Sequence, residues 1–366
     1  MKPKIFALYL PQFYETKENN EWWGKGYTDW TAVKNSKPLF EGHYQPQIPL
    51  NKNFYTLTDK NVLKWQAETA RKYGISGFCI YHYWSCGELM LEKPTELLLE
   101  NPDIEIEYFL SWANHDFKKT WFDGDGRYLK KQAYGGKDDA KKHYEYLANF
   151  FKDKRYTKLN NKPVLKIYNI YSIPNFEEMM EVWTELAKKD GFDGLYIIAN
   201  KSNTGMKTKE MQAVEYVDAI FVFEPLNVRS NGSNEELIYI YKRRAKTWFL
   251  RQWNKYSRQK RPELFDYATA NEMMLKRKPC GKQYYCVFPG WDNTPRYGGK
   301  GIVFSDASPA IFKKYTKKFF KRSELESNEF LFVNAWNEWG ESAHLEPDEK
   351  YGFQYLEAIS EVVHEK

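Results

Sequence analysis

Cysteine is scarce and unpatterned in this chain: Cys79, Cys86, Cys280 and Cys286 form no C-x-x-C pair and no Cys/His metal spacing. That argues against a disulfide framework and for buried, reduced thiols. No stretch approaches the ~18 consecutive apolar residues of a membrane span. The start, Met1-Lys2-Pro3-Lys4 followed by Ile5 to Leu10, has the charge order of a secretion signal. Its apolar run is short, however, and Pro11-Gln12-Phe13-Tyr14-Glu15 offers no small-residue cleavage site, so the expectation is a cytoplasmic chain. No G-x-G-x-x-G turn follows that first run, which disfavours a nucleotide-binding sheet. Charge of one sign is also lacking: 55 Lys and Arg against 49 Asp and Glu leave a net +6, too mild to nominate nucleic acid as a partner.

Aromatic residues are what the chain has in excess, with 13 Trp, 28 Tyr and 24 Phe making 18% of its 366 residues. Sugar rings present apolar C–H faces that stack on aromatic faces, so this composition favours an oligo- or polysaccharide partner.

Eight short apolar or aromatic runs recur down the chain: Ile5 to Leu10, Gly77 to Trp84, Ile106 to Trp112, Pro163 to Tyr168, Gly194 to Ala199, Ala219 to Phe223, Tyr284 to Phe288 and Phe330 to Ala335. Segments of helical periodicity lie between them, including Asp59 to Tyr73, Asp138 to Lys152, Phe176 to Lys189, Pro309 to Lys321 and Tyr351 to Val363. Eight alternating β and α units predict an α/β fold, a (β/α)8 TIM-type barrel. Residues beyond the ~250 of a plain barrel fall in long βα loops, chiefly Pro11 to Thr58 and Glu224 to Gly281. No linker or repeat divides the chain, so 1–366 reads as one catalytic barrel domain.

A barrel presents its chemistry at the C-terminal ends of its strands. There the sequence places Tyr9 and Gln12 after the first run, Tyr81, His82 and Trp84 in the second, and Trp112, Asn114 and His115 after the third. Glu224 follows the sixth, Trp291, Asp292 and Arg296 the seventh, and Trp336, Asn337, Glu338, Glu341 and His344 the eighth. Trp30, His43 and Gln45 lie in the first long loop. These aromatic, amide and charged groups are the candidate sugar contacts.

Glu338 and Glu341 are the candidate catalytic pair. Glycosidic chemistry needs an acid for the leaving oxygen and a second carboxylate, in environments that split their pKa values. Spaced i, i+3 on a helical turn, the two would be neighbours; on extended chain they would point apart. Trp336 and Trp339 flank them and would desolvate an adjacent acid. No histidine has the partner spacing of a metal helix, and no metal or other cofactor is expected. Asp123-Gly124-Asp125-Gly126 begins like a calcium loop but lacks the later ligands, and reads as a polar turn. Between Lys242 and Arg261 stand nine Lys or Arg and no acid, interleaved with Trp248, Phe249, Trp253 and Tyr256. A solvated helical face and a peripheral contact with the inner membrane surface are both readings of that run.

Taken in order, the strand-end motifs resemble the WbsX-type proteins, a branch related to glycoside hydrolase family 99. They are Leu8-Tyr9-Leu10-Pro11-Gln12-Phe13, Trp23-Gly24-Lys25-Gly26-Tyr27-Thr28-Asp29-Trp30, Gly42-His43-Tyr44-Gln45-Pro46, Tyr81-His82-Tyr83-Trp84, Ser111-Trp112-Ala113-Asn114, Phe288-Pro289-Gly290-Trp291-Asp292-Asn293-Thr294-Pro295-Arg296 and Asn334-Ala335-Trp336-Asn337-Glu338-Trp339-Gly340-Glu341. The resemblance implies a TIM-like barrel acting on mannose-containing glycans with retention. It implies that Glu338 deprotonates the sugar's own 2-hydroxyl to close a 1,2-anhydro intermediate, while Glu341 serves as acid and then base. The chain departs from the pattern at His115-Asp116-Phe117, where relatives commonly read E-N-W, and at Asp29, where they carry Glu. Such proteins are also labelled glycosyltransferases of surface-polysaccharide assembly. A sugar-nucleotide transferase would be expected to show a nucleotide-binding sheet, often with a D-x-D metal motif, for which Asp123-Gly124-Asp125 is the only candidate. Cleavage or transglycosylation is therefore favoured over transfer, with a non-catalytic glycan-binding barrel as a third reading.

Overall fold

The apolar runs become the staves of a closed ring in the computed structural model, which describes residues 2–122, 124–201, 210–211, 213–232, 237–257 and 260–365. Strands β1 (Lys4–Tyr9), β2 (Gly77–Ser85), β3 (Glu107–Trp112), β4 (Lys162–Ile167), β5 (Tyr196–Lys201) and β6 (Ala219–Val222) pair in parallel, each with the next. The seventh run is broken at Tyr285 into Gln283–Tyr284 and Cys286–Val287, together β7, and β8 is Phe330–Val333. The break closes the barrel. The first piece of β7 pairs with β6 through Phe221 and Tyr284, the second with β8 through Cys286 and Phe332, and β8 pairs with β1 from Lys4↔Phe330 to Ala7↔Val333. This is the expected TIM-type architecture, and Asp123 of the polar turn lies outside the described residues.

Strands covered on both faces read as continuous apolar runs, and β1 and β8 are buried almost throughout. Successive side chains still alternate between the barrel interior and the helical layer. The inward set at the floor is aromatic: Phe6, Phe109, Phe330 and Phe332 are buried, with Phe6 and Phe109 centroids 4.9 Å apart. Each such ring contributes about 1.5–3 kcal/mol by leaving water. Above them Lys166 crosses the interior, its Nζ 3.1 Å from Ser111 Oγ and 4.8 Å from the Phe221 ring centre.

The outer layer follows the helical periodicity. Asp59 caps α1 (Lys60–Lys72) by accepting from Asn61 N–H. Then come α2 (Lys93–Glu100), α3 (Gly136–Phe151) and α4 (Phe176–Lys189), whose stripe Phe176, Met179, Met180, Trp183 and Ala187 is buried. The long loop after β6 is itself helical, with α5 (Leu226–Asn231), α6 (Leu237–Tyr256) and α7 (Tyr267–Lys276). The layer ends with α8 (Pro309–Leu325) and α9 (Gln354–His364). The loop after β1 likewise holds two short helices, Lys17–Trp23 and Asp29–Asn35. A small sheet outside the barrel, Glu263–Asp266 with Ile302–Ser305 and Trp291–Asp292, ties the β6 insertion to the segment after β7.

Candidate active site

Beyond β8 the chain makes a miniature hairpin. Asn337–Glu338 pairs antiparallel with Ala343–His344, and one 3-10 turn, Trp339–Glu341, joins them. Asn337 fixes its position by a two-point amide clamp: its Oδ1 accepts from Leu10 N at 2.8 Å and its Nδ2 donates to Leu10 O at 3.0 Å. From below, the Trp339 indole donates to Glu346 at 2.7 Å and stacks on His344 at 3.6 Å between ring centres. Glu338 and Glu341 are thus carried on a backbone held at three points.

Both glutamates converge on Arg296, which arrives from the turn Thr294–Tyr297 after β7. Its guanidinium stands 2.8 Å from Glu338 Oε1 and 3.5 Å from Glu341 Oε1, and it donates to Asp29 at the start of its helix. The contact with Glu338 Oε1 is the shorter of the two glutamate pairings, so the guanidinium opposes the protonation of that carboxyl directly. Gln12 donates to the same Asp29 carboxylate, and the Trp121 ring covers the guanidinium at 4.5 Å. Gly340 makes room for this guanidinium, because a Cβ built on it would fall 2.6 Å from Arg296 Nε and would have to displace it.

Three carboxylates around one cation leave an excess of negative charge in a buried place. Burial raises the Glu338 and Glu341 carboxyls well above the usual carboxylate range, and Arg296 opposes the rise without cancelling it. Repulsion from Glu341 and Asp29 raises Glu338 further. Such a pair retains a proton at a pH where an exposed glutamate has lost its own, and it titrates as a unit. An acid and a base at once is what glycosidic bond chemistry asks of two carboxyls.

The pair faces a cavity of about 420 Å³ at the C-terminal end of the barrel. Its walls are largely aromatic, including Tyr81, Tyr83, Tyr168, Trp291 and the stacked Trp23 and Trp121, whose rings lie 5.1 Å apart at 15°. Of the residues nominated from sequence, Gln12, Tyr81, His115, Trp291, Arg296, Glu338 and Glu341 line this cavity.

His43, Asp292 and His344 line a neighbouring cleft of about 310 Å³, which shares Trp291 with the first. His43 Nδ1 accepts from Leu39 N, so its Nε2 bears the hydrogen and donates to Asp292 Oδ2 at 2.6 Å. Gln45 donates to the same oxygen, while Asp292 Oδ1 accepts from Thr294 N at 2.9 Å. This network anchors the turn that presents Arg296.

The remaining nominated residues do not reach the cavity, and strand alternation explains most of them. On β2, Tyr81 and Tyr83 point inward, whereas His82 and Trp84 point into the helical layer. His82 meets His143 of α3 at 2.8 Å, and burial drives its pKa down to about 3. The Trp84 ring lies parallel to that of His143, and Trp112, in register with His82, packs on Trp183 of α4. Tyr9 donates outward to Gln66 of α1, and Trp30 donates to Tyr55 O. Trp336 is fully buried against Phe78. Asn114 ties the end of β3 to Asn169 of the segment after β4 through both amide atoms. Glu224 pairs with Arg277 and caps α5 through Val228 N. These side chains, with Gln45 and Asn337, hold the walls in place.

A model of the family described as "Glycosyltransferase WbsX" matches residues 5–359. The chain belongs to the WbsX family. The WbsX-family chain is 30% identical over 368 residues to "Uncharacterized protein WxcX" from two strains of Xanthomonas campestris pv. campestris, covering 98% of itself and 49% of those proteins. It therefore spans about half the length of the curated relatives it matches. Among solved structures, it is similar to the GH99 endo-alpha-mannosidase from Bacteroides thetaiotaomicron, with a TM-score of 0.55 at 14% identity, covering 99% of this chain and 96% of that one. A "Glycoside hydrolase-like protein" gives a TM-score of 0.57 at 15% identity, covering 99% and 94%. At those identities the likeness concerns the fold.

Tyr83, Tyr168, Trp22, Trp23, Trp121, Phe223 and Tyr297 are cavity residues that the sequence reading did not nominate. Alternation from Tyr81 would have found Tyr83, and the Trp-Gly-Lys-Gly motif contains Trp23. Nothing local distinguishes Trp121.

Proposed function

We propose that this WbsX-family chain is a glycan-processing enzyme that cleaves or transglycosylates glycosidic bonds of a mannose-containing or cell-surface polysaccharide with retention. The observation that carries the reading is the Glu338 and Glu341 pair, buried around Arg296 at the bottom of an aromatic-walled cavity. Membership of the family and the likeness of the fold to a GH99 endo-alpha-mannosidase support a glycan-active site.

In the proposed route, Glu338 accepts the proton of the substrate's 2-hydroxyl as O2 attacks C1. Glu341 gives its proton to the departing glycosidic oxygen as the C1–O bond breaks. The resulting 1,2-anhydro sugar is opened at C1 by water or an acceptor hydroxyl, whose proton returns to Glu341, while O2 recovers its proton from Glu338. Two inversions at C1 give net retention, and carboxylate separation then no longer decides the outcome. Arg296, closer to Glu338 than to Glu341, supports Glu338 as the carboxylate that acts as base, and the more exposed Glu341 suits the group that meets both leaving group and water.

Transfer from a sugar nucleotide is the second reading, favoured by the description of the family. Incubation with polysaccharide alone, and separately with nucleotide sugars plus acceptor, separates the two. Cleavage giving product of retained configuration, with a 2-deoxy analogue inert, is the expected result. Product formed only from nucleotide sugars would establish the transferase, and sugar binding without either reaction would establish a non-catalytic barrel.

A further inference from the structure

We infer that the outward face of α6 lies flat on an anionic lipid bilayer and holds the chain at a membrane surface. The inner side of this helix is tied to the body: Tyr239 donates to Arg229 O at 3.2 Å, and Asn254 donates to Arg261 O at 2.8 Å and Gly299 O at 3.1 Å. Its outer side reverses the usual order of a surface helix. Ile238 is 71% exposed, Tyr241 65%, Phe249 67%, Trp253 57% and Tyr256 79%.

At ~100° per residue these five side chains and Ala245 fall within an arc of about 120°, a largely apolar stripe that only Lys242 and Gln252 interrupt. Cations flank it, with Lys246 along one edge and Arg244, Arg251 and Lys255 along the other, while Lys242 stands within the stripe itself. Nine Lys or Arg and no acid occupy Lys242 to Arg261, so without them the net charge of +6 would become −3. This run of sequence alone outweighs the net positive charge of the chain.

A largely apolar stripe flanked by cations is the pattern of an interfacial helix. The rings enter the acyl boundary while flanking lysines and arginines meet lipid phosphates, and aromatic side chains with polar tips are suited to the headgroup level. Nucleic acid would use the cations and leave the stripe in water. No helix among the described residues is long and apolar enough to cross a membrane, so the contact is one of lying on the surface.

The placement also bears on access. A groove of about 1120 Å³ opens alongside α6, walled by Leu250, Phe249, Trp253, Leu264, Leu39 and Phe40, so it shares Phe249 and Trp253 with the exposed stripe. Phe40 also lines the cleft beside the catalytic cavity. A bilayer under α6 would therefore lie close to the rim where substrate enters, whichever reaction the cavity performs.

The test is sedimentation of the full chain with phosphatidylcholine vesicles, plain or carrying about 30 mol% phosphatidylglycerol, at about 0.1 M and 0.5 M salt. Binding should favour the anionic vesicles by at least about tenfold and weaken at high salt. A Phe249→Ser, Trp253→Ser, Tyr256→Ser variant and a Lys242→Glu, Lys246→Glu, Arg251→Glu variant should each lose about thirtyfold or more in affinity. Both should keep the unfolding temperature and the turnover of a soluble substrate. Failure to bind anionic vesicles at low salt would overturn the proposal, as would equal binding by the charge-reversed variant. A dimer in solution that the serine variant returns to monomer would assign the stripe to a second copy instead, and retardation of RNA with no vesicle binding would assign the cations to nucleic acid.

Discussion

Arg296 joins the two candidate catalytic carboxyls, its Nη2 2.8 Å from Glu338 and its Nη1 3.5 Å from Glu341. Because the guanidinium favours the ionised form of both, its loss raises both carboxyls further. A base that ionises only at higher pH fails first on the acid side. Arg296→Met should therefore move the acid limb of the kcat/KM profile upward by about one pH unit or more. Arg296→Lys should restore part of the shift. An unmoved acid limb in a folded Met variant would refute this role.

Glu341→Gln keeps shape and removes the transferable proton. Turnover should fall by about 10²–10⁴-fold, with the circular dichroism spectrum intact. Glu338→Gln should fall comparably. For Glu341→Gln the loss should be smaller on substrates whose leaving group needs no protonation, whereas Glu338→Gln should gain nothing from such substrates.

Gly340→Ala adds a single methyl group, but one directed at Arg296 Nε. Displacing the guanidinium by about 1 Å should cost about 10²-fold in kcat/KM. The unfolding temperature should change little compared with that loss, and a variant of wild-type activity would contradict the close approach.

Trp112 and Trp121 separate wall from scaffold. Trp112→Ala removes a ring buried between β3 and α4, and should cost about 3–5 kcal/mol in chemical denaturation with KM nearly unchanged at permissive temperature. Trp121→Ala removes a ring that faces the cavity and should do the reverse. About 1 kcal/mol of stability and about tenfold in kcat/KM are expected.

Glu346 accepts from Tyr55, Gln66 and Trp339, yet burial still raises its carboxyl to about 7. In the unfolded chain a glutamate titrates near ~4.3. The folded state therefore binds the extra proton between those values, and the contribution of this group to stability is full below ~4.3, lost as pH rises to about 7, and constant above. Glu346→Gln removes that slope. Denaturation of both proteins across this range should show the variant gaining on wild type by up to about 4 kcal/mol, and parallel curves would exclude the shift.

Much of the barrel was legible because a strand covered on both faces must be apolar throughout, and eight such runs stand out from helices of 3.6-residue period. The break at Tyr285 was hidden, since a strand that changes partners keeps the same composition. The candidate pair was legible as two carboxylates flanked by tryptophans, but not as groups sharing Arg296, which lies more than forty positions upstream. His82, Trp84 and Trp112 were misplaced because strand ends were treated as wholly facing the site, although Tyr81 and Tyr83 fix the parity. Burial of tryptophan signals a core as readily as a sugar platform, and Trp336 is core. At Gly340, as at Gly77 against Glu107 O, the reason for glycine is a neighbour distant in sequence.

The amide clamp of Asn337 on Leu10 spans almost the whole chain. A growing polypeptide emerging from the ribosome could build most of the aromatic walls, and even place Arg296 and Asp29, with no catalytic carboxylates between them. On the proposed assignment, chemistry becomes available only when the last strand docks beside the first. Turnover would then report ring closure, and its regain during refolding should coincide with the final protection of β1 and β8 amides.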